Sequence, residues 1–427
     1  MRKRHSSSRA DLSSEQIKLG TPILRIAIVV HGRFDAFDLA RGLQEAGAEV
    51  MLLTNYPTRV VRKFGVSGIR VKSAWWHGLL QRVLFWISPT IFEPIVLPLF
   101  ARWACHVINN EQENDVVYCF SGVAEEVFRG LNQPKCMKVL VRGSSEIRFQ
   151  RAILEEERRR AEAILGRNLV TDLPSAWSIA REEREYALAD RIFVLSTFAK
   201  ASFAASMVLP KVMVLTLGSD PKLFTVTRTA IDERRRRILS GQRLRVLTVG
   251  SFSLRKGAID FLEVASQLKD RMNFVMVGKI GSDATAFAEK ADGCIIFKQR
   301  VPHQELPRTY AAADLFLFPT IEDGFAVVLA QAQASALPTL TTTNSCGPDL
   351  IVEGQTGWVV PIRSPDKIVK RLLWCDTHRD TLARMVQAIY EKPSIRTWGD
   401  AGRDFLALIA EERAGAGLNL HPGQGFD

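Results

Sequence analysis

From Thr21 onward, short apolar runs rich in Val, Ile and Leu alternate with longer amphipathic segments. Such alternation predicts strands joined by crossover helices, hence parallel sheets with helices on both faces. The runs form two sets. The first covers residues 23–30, 49–54, 115–120, 137–142, 191–196 and 211–217; the second covers 244–249, 273–277, 294–297, 314–318, 338–342 and 357–360. Between them, residues 219–243 hold the run Arg234, Arg235, Arg236 and Arg237, which reads as a solvated basic linker. The pattern therefore predicts two Rossmann-like, doubly wound α/β domains, over 22–218 and 244–392, facing one another across a cleft. A helical segment over 393–415 follows, and tails over 1–21 and 416–427 lie outside the predicted fold.

With 427 residues, 47% hydrophobic and 24% charged, the chain exceeds one ordinary core and is too apolar for disorder, which agrees with two domains. Its six cysteines include no CxxC pair, so the sequence indicates neither a disulfide framework nor a zinc site, and no metal is expected. The net charge of +11 favours phosphate-bearing ligands or an anionic membrane surface. Nucleic acid is not an expected partner, because the arginine run reads as a solvated face. The opening MRKRHSSSRADLSSEQ has no apolar signal region, and the chain is expected to be cytoplasmic. Residues 83–101, VLFWISPTIFEPIVLPLFA, carry one charge, Glu93, and three prolines that argue against one continuous helix. The stretch reads as a buried core hairpin or, with Trp75, Trp76 and Trp103 nearby, as an interfacial patch touching the inner face of a membrane.

In open parallel sheets, ligands sit beyond the carboxyl ends of the strands, so the residues just after each run matter most. The run 244–249 empties through Gly250 and Ser251 into a turn with Arg255, Lys256 and Gly257. Two cations there suit a diphosphate: Lys256 as a compact charge and Arg255 as a planar fork, both compensating charge that builds as a sugar–phosphate bond breaks. The run 314–318 leads to Glu322 and Asp323, then through Gly324 into a helix whose first N–H groups, from Phe325, Ala326 and Val327 onward, would face an anion. Gln331 would lie further along that helix and address the other end of a sugar nucleotide.

These residues resemble the donor domain of the retaining family 4 glycosyltransferases (glycosyl transferases group 1) of GT-B fold. The matches are Gly250, Lys256, Gly257, Ala313, Asp314, Gly324, Phe325, Gly347, Pro348, Glu353, Gly354, Thr356 and Gly357. The first half is similar more loosely, through HGRF at 31–34, REEREYALADRIFVLS at 181–196 and the segment 217–224. The resemblance implies a nucleotide-diphosphate sugar as co-substrate without a further cofactor. It also implies a glycan or lipid-linked acceptor, polysaccharide or envelope glycan synthesis, and a last helix that crosses back to the first domain. It makes Asp323, with Glu322, the acid facing the donor sugar, Gln331 the residue at the ribose hydroxyls, and Gly32 and Val301 parts of the donor site. His31 and Glu146 are the acceptor-side candidates, while His303 is expected to face solvent.

The family pattern has glutamate at both ends of its acid-to-helix element, whereas this chain has Asp323 and Gln331, an acid one methylene shorter and an amide without charge. The basic residue that many relatives carry after the strand glycine is Ser251 here, with Arg255 as the substitute. Two alternatives stay open from sequence: a sugar-nucleotide epimerase of similar fold, and a degenerate, non-catalytic sugar-nucleotide or membrane-binding protein.

Overall fold

The computed structural model describes residues 23–393 and 395–415; the predicted tails lie outside them. The first sheet contains β1 (Arg25–Val30), β2 (Glu49–Thr54), β3 (Arg70–Ser73), β4 (Val116–Phe120), β5 (Met137–Arg142), β6 (Arg191–Val194) and β7 (Val212–Val214), in the spatial order 3-2-1-4-5-6-7. The second contains β8 (Leu244–Val249), β9 (Met272–Val277), β10 (Ile295–Lys298), β11 (Leu315–Phe318), β12 (Thr339–Thr342) and β13 (Gly357–Val360), in the order 10-9-8-11-12-13. Every strand pairing is parallel. Central strands such as β1 and β4 are buried along most of their length, which is why they read as continuous apolar runs. β3 escapes that reading. Its sequence RVKS is half-buried throughout, as suits an edge strand with one neighbour.

The helices used below are α1 (Ala36–Glu45), α2 (Trp75–Ile87), α3 (Pro89–Asn109), α4 (Glu125–Gly130), α5 (Ile147–Leu165), α6 (Ala176–Leu188), α7 (Arg228–Leu239), α8 (Val327–Ala334) and α9 (Trp398–Gly415). Two expectations need correction. The first concerns residues 83–101, which are not one continuous helix, as the prolines imply, but do not form a buried hairpin. α2 stops at the extended Ser88, and Pro89 opens α3 at a position where a missing N–H costs no helical bond. Pro94 and Pro98 lie inside α3 without ending it, and the imidazole of His77 on α2 reaches the Val96 carbonyl at 2.8 Å. By length and composition Ile91–Asn109 would suffice to cross a membrane, yet Val96, Phe100, Ala104 and Ile108 are fully buried in the first domain. The outward side is apolar too: Trp75, Leu79, Val83, Trp86, Ile87 and Ile91 are exposed, Trp86 to 89%.

The second correction concerns the arginine run. It lies on α7, and Arg234 is completely buried, donating to the carbonyls of Ser335 at 2.7 Å, Ala336 at 2.8 Å and Tyr310 at 2.9 Å. Arg237 pairs with the buried Asp314 at 3.0 Å. The run is thus built into the second domain rather than solvated as a whole.

α9 returns to the first domain. Phe405 packs on Tyr118 and Phe193 at ring distances of 5.4 and 5.5 Å, and the buried Arg413 pairs with Asp115 at 3.1 Å. Its close approach to α1 requires glycine: a Cβ on Gly402 would stand 2.2 Å from the Gly42 carbonyl oxygen. The two segments that cross between domains run side by side, with Ser219 N donating to the Arg396 carbonyl at 2.9 Å.

Candidate active site

In the first sheet the winding reverses between β1 and β4, and in the second between β8 and β11. Loops leaving strands at such switch points are splayed apart and make a crevice. Here they meet in one cavity of 1170 Å³ between the domains, lined by Arg33, Asp35, Ser121, Arg142 and Ser144 from one side and by Arg255, Lys256, His303, Asp323, Phe325, Val327 and Gln331 from the other.

The second domain supplies the cations. After Gly250 the chain makes a short helical turn, Leu254–Lys256, and Gly257 adopts φ +76° with the Pro319 carbonyl oxygen 1.8 Å from where a Cβ would lie. Only glycine fits, so the KG pair is a packing requirement that holds Lys256 at the cavity wall. Lys256 Nζ sits 2.5 Å from Asp323 Oδ2 and 5.7 Å above the Phe318 ring. Asp323 is thus placed in the cavity beside the cation that would meet a diphosphate.

Glu322, one residue earlier, points the other way. Its side chain is fully buried in the seam between domains, where Oε1 accepts from Ser145 N and Oγ, both at 2.9 Å, and Oε2 accepts from Gln150 at 3.1 Å and pairs with Arg255 at 2.8 Å. Burial alone would raise its pKa, but Arg255, the Ser145 N–H and Lys256 outweigh it and hold the carboxyl below its ordinary range. Arg255 in turn also donates to the Glu322 carbonyl at 3.2 Å and to Ser144 Oγ at 3.0 Å. Gly324 presses on the first domain as well: a Cβ there would lie 2.2 Å from the Gly143 carbonyl oxygen. Its lack of a side chain serves domain contact.

The helix start differs from the sequence reading. α8 begins at Val327 with Ala326 as its cap, and Val327 N already donates to the Phe325 carbonyl at 3.0 Å. Gln331 lines the cavity little more than one turn along α8 and accepts from Tyr310 Oη at 3.0 Å. Phe325 and Val327 also line the cavity. Gly250, Val301 and Ala326 do not line it, and Ser251 borders a second, neighbouring cavity.

In the first domain, Gly32 has φ +112°, but its N–H is committed to Asn55 Oδ1 at 2.9 Å, so it is not free for an anion. His31 stacks edge-on to His77 and Phe100, each at 5.3 Å, and burial together with His77 pushes its pKa down to about 4, leaving a neutral ring. Glu146 caps α5 by accepting from Phe149 N at 2.8 Å, so that candidate is spent on the helix rather than turned to the cavity. His303 is exposed at the cavity rim. Sequence reading missed Asp35, whose carboxyl burial raises to about 6, and the buried pair Arg142–Glu182 at 3.0 Å; all three line the cavity. Asp35 and Arg142 were signalled only by position, just past β1 and at the end of β5, whereas Glu182 lies on α6 within the segment 181–196.

The motif at 181–196 has a structural explanation. The fully buried Glu185 on α6 accepts from the N–H groups of Gly122 at 2.7 Å, Ala124 at 2.9 Å and Glu125 at 3.2 Å, capping α4 from a distant part of the chain. Arg181 pairs with Glu185 at 3.4 Å and donates to the Gly122 carbonyl at 2.7 Å.

Two facing parallel-sheet domains with the binding crevice at both switch points define a GT-B architecture. Comparison with solved structures agrees: sucrose-phosphate synthase from Thermosynechococcus elongatus superposes with a TM-score of 0.64 at 15% identity, covering 92% of this chain and all of that one. Anabaena Alr3699/HepE, solved with UDP and glucose, gives 0.62 at 11% identity, covering 91% of this chain and 100% of that chain. Within that class, residues 243–376 match the family model for glycosyl transferases group 1, so the second domain carries this family's signature. Curated relatives include the amylovoran biosynthesis glycosyltransferase AmsK of Erwinia amylovora, 27% identical over 35% of this chain and 38% of that protein. The D-inositol 3-phosphate glycosyltransferase of Corynebacterium efficiens is 27% identical over 47% of this chain and 51% of that protein. The chain thus spans about half the length, or less, of these curated relatives.

Proposed function

We propose that the protein transfers a sugar from a nucleotide-diphosphate donor to an acceptor hydroxyl. The observation that carries this reading is the placement of Lys256, Asp323 and Gln331 on one wall of the 1170 Å³ cavity, within the segment that matches glycosyl transferases group 1. Lys256, with Arg255 behind it, balances the negative charge of the departing nucleotide diphosphate. Asp323 faces the donor sugar and Gln331 the ribose hydroxyls. The acceptor oxygen enters from the first domain, its proton passes to the leaving phosphate, and transfer proceeds with retention and without a metal ion. Two curated relatives, named for amylovoran and colanic acid biosynthesis, favour an extracellular or envelope glycan as product. Calorimetric titration with a panel of nucleoside diphosphates and their sugars tests the reading. Micromolar binding of one base series is expected, and no binding across the panel would overturn it.

The exposed apolar face of α2 and α3 belongs to the same proposal, with the inner leaflet of the cytoplasmic membrane as its occupant. Tryptophans at the end of an apolar helix face suit a bilayer interface, and Arg82 and Arg102, both exposed on these helices, favour anionic lipid. The protein is expected to co-sediment with phosphatidylglycerol vesicles at low salt, and Trp86→Ser with Ile87→Ser to abolish most of that binding. Recovery of the unaltered protein in the supernatant would refute the membrane contact.

A further inference from the structure

Glu93 is the single charge in the apolar stretch 83–101, and the structure turns it inward. Ile91 and Ile95 on the same helix are exposed, whereas Glu93 is half-buried and accepts from Ser178 Oγ at 3.3 Å. It lines a second interdomain cavity of 600 Å³, together with Glu182, Asp283, Thr171, Ser253 and Phe85. A smaller space of 230 Å³ joins the two large cavities: it shares Glu93, Ser178 and Phe85 with the second, Phe34 and Ser121 with the donor cavity, and Glu182 with both. Glu93 and Glu182 thus stand between the second cavity and the donor cavity.

Among apolar side chains such as Ile147, Leu154 and Leu173, the polar groups of this cavity are mainly carboxylates and hydroxyls. Its two arginines are already committed, Arg142 to Glu182 at 3.0 Å and Arg255 to Glu322 at 2.8 Å. Thr171 Oγ1, which lines the cavity, is buried without a protein partner, and His31 Nε2 is in the same situation in the joining space. Carboxylates that keep unused lone pairs form charge-assisted hydrogen bonds to hydroxyls and repel an anionic group. Burial, as the largest influence, raises the pKa of Glu93 and of Asp283, as expected of acids without a cation in contact. The volume lies within the roughly 300–1,000 Å³ usual for small-ligand pockets, room for one or two sugar units.

We infer that the second cavity is the acceptor subsite, that it takes the uncharged, hydroxyl-rich end of a glycan, and that Glu93 binds its hydroxyls beside the donor. This rests on the transferase reading above. The test uses the full chain, the donor found by titration, and 4-nitrophenyl glycosides as acceptor probes: hexosides and N-acetylhexosaminides against the glucuronide. Transfer to at least one uncharged glycoside and none to the glucuronide is expected. Glu93→Gln is expected to raise the acceptor KM about tenfold or more while the nucleoside-diphosphate Kd stays within about twofold. Ser178→Ala, which removes the hydroxyl that orients Glu93, should raise the same KM by less. Comparable transfer to the glucuronide, no transfer to any uncharged glycoside by protein that binds the donor, or an unchanged KM in Glu93→Gln each overturns the inference. Failure of the unaltered protein to bind any nucleotide defeats the transferase reading itself, and the acceptor subsite falls with it.

Discussion

Lys256→Ala is expected to lower turnover by about a hundredfold or more, the usual loss on removing one preorganised donor from a developing oxyanion, while the protein remains folded. The fold is spared because Lys256 and Asp323 both line the cavity, where water can take the place of the lost ammonium beside the carboxylate. Arg255 cannot stand in. Its guanidinium is held by the Glu322 carboxylate and carbonyl and by Ser144, and to meet a phosphate it would have to abandon a buried acid. Lys256 has one partner to exchange, which makes it the cation free to follow the leaving group. The measurement is steady-state kinetics with the identified donor, paired with calorimetry and thermal unfolding. Near-normal turnover in folded Lys256→Ala protein would remove Lys256 from the mechanism.

Glu185→Ala is expected to have the largest effect on stability, about 3–5 kcal/mol, as found when one partner of a buried charged network is deleted. The loss combines three N–H groups, the half-buried one of Gly122 and the buried ones of Ala124 and Glu125, left without their acceptor, and an Arg181 guanidinium deprived of one of its carboxylates. Glu185→Gln keeps an acceptor oxygen but turns an amide N–H₂ toward the N–H groups, so an intermediate loss is expected. Urea unfolding followed by circular dichroism separates these outcomes, and a midpoint for Glu185→Ala close to that of the unaltered protein would contradict the role.

The parallel architecture was readable from sequence because central strands of such sheets are covered on both faces and must be apolar throughout. β3 was not, since an edge strand needs little apolar cover. Arg234 was misread for a related reason: a run of four arginines on a helix spans more than one full turn, so at least one must face inward, and which one depends on the carbonyls waiting at Tyr310, Ser335 and Ala336. The KG turn and the acidic turn were recognisable as a pair, and both Lys256 and Asp323 reach the cavity. Glu322 and Asp323 could not be told apart, because neighbours on an extended turn point to opposite sides. Glu93 stood out only as the lone charge in an apolar stretch. Its direction became visible once α3 was placed, with Val96 and Phe100 buried beneath the helix.

The seam at Glu322 also couples the two halves of the chain. The crossing segments lie together at Ser219 and Arg396, and the first domain also meets the second through Glu156 and Glu157 with Arg363, so the contacts of Ser145, Gln150 and Gly143 belong to one continuous seam. Parting them strips Glu322 of its first-domain donors and Arg255 of its bond to Ser144. Without them the guanidinium would lose part of what fixes its orientation. A change on the first-domain side of the seam would therefore be felt at the cationic turn of the second domain, although the two lie in different halves of the chain.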